Sequence, residues 1–301
     1  MKTFYCDHFL PPLPAGHRFP MQKYALLRER VVAGRLVPSE NLLVPPPATD
    51  EQLLRAHSHS YVEQVKQGQL TAKEIRRIGL PWSSKLVERA RHSVGGTIAA
   101  GRAALAEGIS VNLAGGTHHA GPDHGEGFCL FNDSAIAART MQAEGRAKRL
   151  IIIDCDVHQG NGTAAILADD PTIFTFSIHG QKNFPFRKTA GDLDIGLPDD
   201  TGDLVYLEQL DAGLRQALPL ARADLAIYLA GADPYAGDRL GRLAISMAGL
   251  AERDRLVLEL CGRAGLPVAI VMAGGYAEPI ADTVAIHFQT VRLAAGLAND
   301  W

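Results

Sequence analysis

RLIIIDCDVHQGNG, residues 149–162, decides the class of fold. Leu150 to Ile153 form an unbroken apolar run of strand length, and a strand that is apolar on both faces belongs inside a parallel sheet rather than on a half-exposed antiparallel one. Side chains alternate along a strand, so Asp154, Asp156 and His158 project to one side while Cys155 and Val157 project to the other. The polar edge points to chemistry. The apolar edge makes Cys155 a buried structural thiol rather than a ligand.

Working outward, comparable runs lie at Ser110–Ala114, Thr172–His179, Leu225–Asp233 and Pro267–Ala273. Between them, Asp133–Glu144, Leu204–Arg222 and Ser246–Arg263 carry apolar residues at three- and four-residue intervals, the helical period. Strands alternating with helices are βαβ units. Their right-handed crossovers place helices on both faces of one parallel sheet. The first ninety residues are less regular: a helix over Met21–Ala33, a linker-like Leu43–Asp50 with three consecutive prolines, and helical stretches around Glu51–Gln67. They are expected to wrap the same domain, residues 1–301, or to add an edge strand around Thr3–Cys6.

The polar residues fall where strands end. Gly115-Gly116-Thr117-His118-His119, Asp154 to His158, Ser177-Ile178-His179, Gly231-Ala232-Asp233 and Gly274-Gly275-Tyr276 each follow an apolar run. Open α/β sheets bind ligands beyond the carboxyl ends of their strands, so these clusters converge on one crevice. An aspartate and a histidine two residues apart, with a third ligand from another strand end, suit a catalytic metal with open positions for water and substrate. Asp156, His158 and Asp233 are that set. The competing reading, that these residues cap helices or form turns, suits a single aspartate better than three polar side chains on one side.

Composition narrows the class. Of 301 residues 47% are hydrophobic and 21% charged, and 30 basic against 33 acidic residues leave a formal charge of −3, with nothing that suggests nucleic-acid binding. The four cysteines, Cys6, Cys129, Cys155 and Cys261, have no Cys-x-x-Cys spacing and suggest a reducing, cytoplasmic setting. The amino terminus carries His, Asp and prolines where a signal peptide needs an apolar run, and no stretch reaches the ~20 apolar residues of a membrane span.

The strings NLAGGTHHA, GEGFCLFND, IIDCDVHQGNG, YLAGADPYAGDRLG and MAGGY, in this order from Asn112 to Tyr276, resemble the histone deacetylases and bacterial deacetylase-like amidohydrolases. PPLPAGHRFPMQKY and NFPFRK further resemble the bacterial branch close to the class IV enzymes. The resemblance implies the arginase-deacetylase fold, a three-layer α/β/α arrangement around a parallel sheet of about eight strands. It implies one zinc ion per chain on Asp156, His158 and Asp233, hydrolysing an acyl amide of lysine or of a small amine such as an acetylpolyamine. His118 and His119 match the paired active-site histidines, supported by Asp154 and Asn161 respectively, and Tyr276 matches the tyrosine that activates the carbonyl. Phe128 and Phe184 match the aromatic pair lining the acyl-lysine channel, with Phe186 an alternative for the second. A structural potassium ion would use Asp154, Asp156, His158, Ser177 and Ile178.

Two other classes compete. An arginase-like hydrolase with two manganese ions needs additional Asp/His ligands that Asp154 to His158 do not supply. A non-catalytic acyl-group sensor has no need of an oxyanion donor and a proton shuttle. The chain departs from the family where many members carry an acid at the channel rim. In Lys73–Ser84 the only acid is Glu74. His8, His17, His57, His59, His92, His124, His179 and His287 match no ligand and read as surface or structural histidines.

Overall fold

Burial of both faces of the apolar runs requires layers of helix above and below, and the computed structural model, which describes residues 1–9, 11, 13–14 and 16–298, has that arrangement. Eight strands form one sheet: β1 (Thr3–Phe4), β2 (Leu42–Leu43), β3 (Ile109–Asn112), β4 (Leu150–Asp154), β5 (Ile173–Gly180), β6 (Leu193–Leu197), β7 (Leu225–Leu229) and β8 (Val268–Val271). Their order is β2-β1-β3-β8-β7-β4-β5-β6, and every pairing is parallel. Strand β4 lies between β7 and β5. Its alternate residues therefore feed separate cores. Leu150 and Ile152 join the core under the helices Ser84–Glu107 and Asp133–Ala143. Ile151 and Ile153 join the opposite one, with Lys23–Ala33, Asp203–Ala221, Met247–Arg263 and Ile280–Leu297. This is the three-layer arginase-deacetylase fold.

Two expectations about the strands need correction. The runs stop short of their polar tails: β4 ends at Asp154 and β7 at Leu229, and past Cys155 the amides of Asp156, Val157 and His158 turn to carboxylates instead of a neighbouring strand. Asp154 Oδ1, for example, accepts from the Asp156 amide at 3.1 Å. Strand β1 is not at the edge either. It pairs with both β2 and β3, and β2 ends on Leu43, the first residue of the segment read as a linker. A pairing two residues long leaves no periodicity to read.

The 24-residue helix Ser84–Glu107 is the main element that periodicity did not expose. Its face is built of Gly and Ala, so it carries little apolar contrast. Close approach explains that composition. A Cβ at Gly95 would sit 1.9 Å from the Pro46 carbonyl oxygen, and one at Gly96 would sit 2.7 Å from the Asn112 amide. The helix thus lies against β3 and takes the proline loop across its back.

His57 ties the first ninety residues to the site's supporting loop. Nδ1 lies 2.8 Å from the Gly121 carbonyl, and Nε2 accepts the Asn132 amide at 2.9 Å. Asn132 in turn caps the helix Asp133–Ala143. One ring nitrogen must donate and the other must accept, so only the neutral imidazole fits. Burial, partly opposed by the backbone acceptor, holds its pKa down at about 4.

Two outcomes follow from these contacts. Gly→Ala normally stabilises a helix by ~1 kcal/mol, but Gly95→Ala should destabilise by ~2 kcal/mol or more, as overpacking does. Gly296→Ala, at an exposed helix position with open space around it, should not. Thermal unfolding of the two variants decides. Between pH 6.5 and 4 the unfolded chain protonates His57 while the native protein does not, so stability falls as pH is lowered. At pH 5 the loss relative to pH 7 should reach roughly 2 kcal/mol from this group. Urea titrations of the parent and His57→Gln at both pH values measure it.

Candidate active site

Four adjacent strands, β3, β8, β7 and β4, deliver the site from their carboxyl ends. Beyond β4 the chain bends so that Asp156 and His158 face Asp233, which follows β7. Ligand atoms of these three buried residues lie within 4.8 Å of one another. His158 Nδ1 is 3.0 Å from Asp156 Oδ1 and 3.1 Å from Asp233 Oδ2. The remaining oxygens are held by backbone. Val157 N–H donates to Asp233 Oδ1 at 2.9 Å, and Gly274 N–H donates to Asp156 Oδ2 at 2.8 Å. Gly274 has to be glycine, since a Cβ there would lie 2.0 Å from Asp233 Oδ2.

This donor set fits a divalent cation. Two carboxylates, 1% and 0% exposed, face each other with no lysine or arginine among their hydrogen-bond partners. Burial and then the Asp156 charge raise the Asp233 carboxyl to about 7. A cation in contact with both removes that penalty, and one neutral imidazole beside two carboxylates leaves it Lewis acidic.

The tandem histidines follow β3 and differ in their partners. His118 Nδ1 is 2.7 Å from Asp154 Oδ2, and His119 Nδ1 is 2.6 Å from Asn161 Oδ1. For His118, burial opposes the charged form, but Asp154 and Asp156 outweigh it and push the pKa up to about 9. For His119, burial and the neighbouring His118 and His158 all act downward, and its neutral partner Asn161 does not restore the balance. The two rings are thus pushed in opposite directions by their surroundings. Tyr276, beyond β8, is kept as the phenol by burial and by the nearby Asp233 and Asp156 charges.

His119, His158 and Tyr276 form the floor of a cleft of about 570 Å³. Phe128 and Phe184 stand on its walls, and the Phe184 ring meets His119 edge-on at 4.9 Å. Phe186 also borders the cleft but is 88% exposed, out at the mouth. The parallel pairing of β4 with β5 sets Asp154 opposite Ser177, next to Ile178, three of the five residues expected of a potassium site. His179 bonds Ser177 Oγ at 2.9 Å and does not border the cleft. Glu74 caps its own helix through Thr71 and does not border the cleft either.

Three supporting residues escaped the sequence reading. Glu126 accepts from Asn161 Nδ2 at 3.2 Å and so orients the amide that holds His119. Asp238 accepts the Tyr276 amide at 2.6 Å. Lys23, 1% exposed, donates to the Ala273 carbonyl at 2.9 Å and lies 5.4 Å from the centre of the Tyr276 ring. A lysine in an ordinary amphipathic helix carries no sign that it will be buried 250 residues away in sequence from its acceptor.

The histone deacetylase domain family matches residues 17–291 of this chain. An uncharacterized protein of Picosynechococcus is 48% identical over 283 residues, covering 94% of each chain. The histone deacetylase-like amidohydrolase of Pseudomonas aeruginosa is 30% identical over 284 residues, covering 89% of this chain and 74% of its own. Among solved structures, a histone deacetylase homolog from Aquifex aeolicus superimposes with a TM-score of 0.85 at 22% identity, over 98% of this chain and 84% of that one, which bears on the fold. The chain belongs to the histone deacetylase family of deacetylases and amidohydrolases.

Proposed function

We propose that the protein is a zinc-dependent hydrolase of acyl amides, with an acylated lysine or a smaller acylated amine as substrate and all of residues 1–301 forming the catalytic unit. The observation that carries this reading is the pair of neighbouring histidines with different partners, a carboxylate for His118 and an amide for His119, set against the Asp156–His158–Asp233 cluster and Tyr276 in one cleft. Among the described residues that cluster is the one group of His, Cys, Asp and Glu arranged for a metal, which favours one ion over an arginase-like pair.

Bound to Asp156, His158 and Asp233, zinc would polarise the amide carbonyl and acidify a water. His119, neutral, takes the proton of the attacking water and returns it to the departing amine. His118, held cationic by Asp154, stabilises the negative charge that accumulates. Tyr276 donates its hydroxyl to the carbonyl oxygen as that oxygen becomes anionic. The Lys23 ammonium facing the same ring draws on its electron density and favours that donation. Phe128 and Phe184 offer apolar faces that bury a methylene stem and leave no polar group unpaired. The residues grouped around Asp154 and Ser177 are suited to a structural potassium ion. The four cysteines are free and buried, which suits a reducing, cytoplasmic compartment.

Purified protein should contain about one zinc per chain and hydrolyse an acetyl-lysine reporter, and metal-free protein with full activity would overturn the mechanism. Tyr276→Phe should lower kcat by about 10²–10³-fold with zinc content unchanged, whereas Asp233→Ala should lose the metal. Full turnover by Tyr276→Phe would overturn the role given to its hydroxyl, whereas a zinc-loaded parent that binds acyl amides and hydrolyses none would favour the sensor. Lys23→Met keeps the buried volume and should cost about tenfold in kcat with KM and zinc content retained. Steady-state kinetics with metal analysis of each variant separates these outcomes.

A further inference from the structure

We propose that the part of the substrate held at the mouth of the cleft is anionic. This deepens the acyl-amide hydrolase reading and rests on it. The mouth is lined by Arg18, Arg76, Arg77, Lys182 and Arg242, all exposed, and the only acid among the lining residues is Glu126. Glu126 is already committed, to Arg77 Nε at 3.0 Å and to Asn161 at 3.2 Å. Asp199 is shared by Arg242 at 3.1 Å and Lys182 at 3.8 Å. Arg18 and Arg76 have no carboxylate partner among the described residues. Five cations set against two anions leave three positive charges uncompensated.

This is not the chain's general character, since its formal charge is −3. Nor is it one solvated helix face. Arg76 and Arg77 end the helix Ala72–Ile78, where the helix dipole alone accounts for a basic residue. Arg18 comes from the loop before the helix Lys23–Ala33, Lys182 from the loop after β5, and Arg242 from the loop after β7. The helix dipole explains none of these. Their convergence around walls built of Ile78, Phe128, Phe184 and Leu240 places the charges beside low-dielectric surface, where they attract an anion more strongly than in open water. The same field opposes acetylated polyamines, which remain cationic after acylation. It favours acyl-lysine flanked by Asp or Glu in a polypeptide, or a small acylated amine bearing a free carboxylate.

The test compares kcat/KM of the zinc-loaded full chain on four reporters: an acetyl-lysine peptide with Asp flanks, the same peptide with Lys flanks, the amino acid Nε-acetyl-lysine with its α-amine blocked and its carboxylate free, and a monoacetylated polyamine. The acidic peptide should exceed the basic one by about tenfold at low salt, and the gap should close as salt rises. The amino-acid reporter tells a small acid from an acidic polypeptide as the source of the charge. In the Arg18→Glu/Arg76→Glu double variant the acidic peptide should lose and the basic peptide gain. Equal or better turnover of the basic peptide or polyamine by the parent overturns the proposal, as does a variant in which both peptides fall alike. No turnover of any reporter would overturn the hydrolase reading itself, and this proposal with it.

Discussion

Two carboxylates, Asp156 and Asp233, are brought face to face at the buried end of a parallel sheet, and most of the surrounding structure answers to that repulsion. Left alone, such a pair would shed one charge by taking up a proton, as the raised Asp233 pKa indicates. Backbone amides from Val157 and Gly274 occupy the outer oxygens, and the His158 imidazole stands between the inner ones. A divalent ion in contact with both carboxylates would relieve that repulsion without a proton. The constraint reaches into the sequence at Gly274, where even a methyl group would collide with both carboxylates.

The same field acts on the tandem histidines. Two histidines adjacent in sequence, with ring centres 4.2 Å apart, cannot easily both be charged. The fold resolves the conflict by giving one a carboxylate and the other an amide. Asp154 leans toward His118 from the end of β4, and Asn161 reaches His119 from the first residue of the helix Asn161–Leu167. Glu126 acts one step further out, since it fixes the Asn161 amide while its other oxygen holds Arg77 at the mouth. The support of His119 and the charge of the rim are thereby joined through a single side chain.

The amino-terminal region is part of this arrangement rather than a wrapper. Lys23 and Phe19 both approach the Tyr276 ring, and Lys23 anchors the carbonyl of Ala273, a non-glycine residue with φ of +55°. Backbone of that kind persists only where its surroundings hold it. The tyrosine loop is therefore set by a helix from the start of the chain, by Asp238 from the loop after β7, and by its own glycines.

The sequence by itself determined the parallel α/β class, the doubly buried strand β4 and the convergence of His118, His119, Asp156, His158, Asp233 and Tyr276, because strand alternation and strand-end polarity are local patterns that survive in one dimension. The motifs also carried the pairing of each histidine with its supporting residue. The two-residue strands, the Ala- and Gly-rich helix Ser84–Glu107 and the place of β1 inside the sheet were decided only in three dimensions, since short pairings and small side chains leave no period. Lys23, Glu126, Asp238 and the basic mouth were likewise decided by tertiary structure. Their meaning comes from neighbours far away along the chain, and a lone charged residue in sequence looks the same whether it will face water, a ring or a substrate.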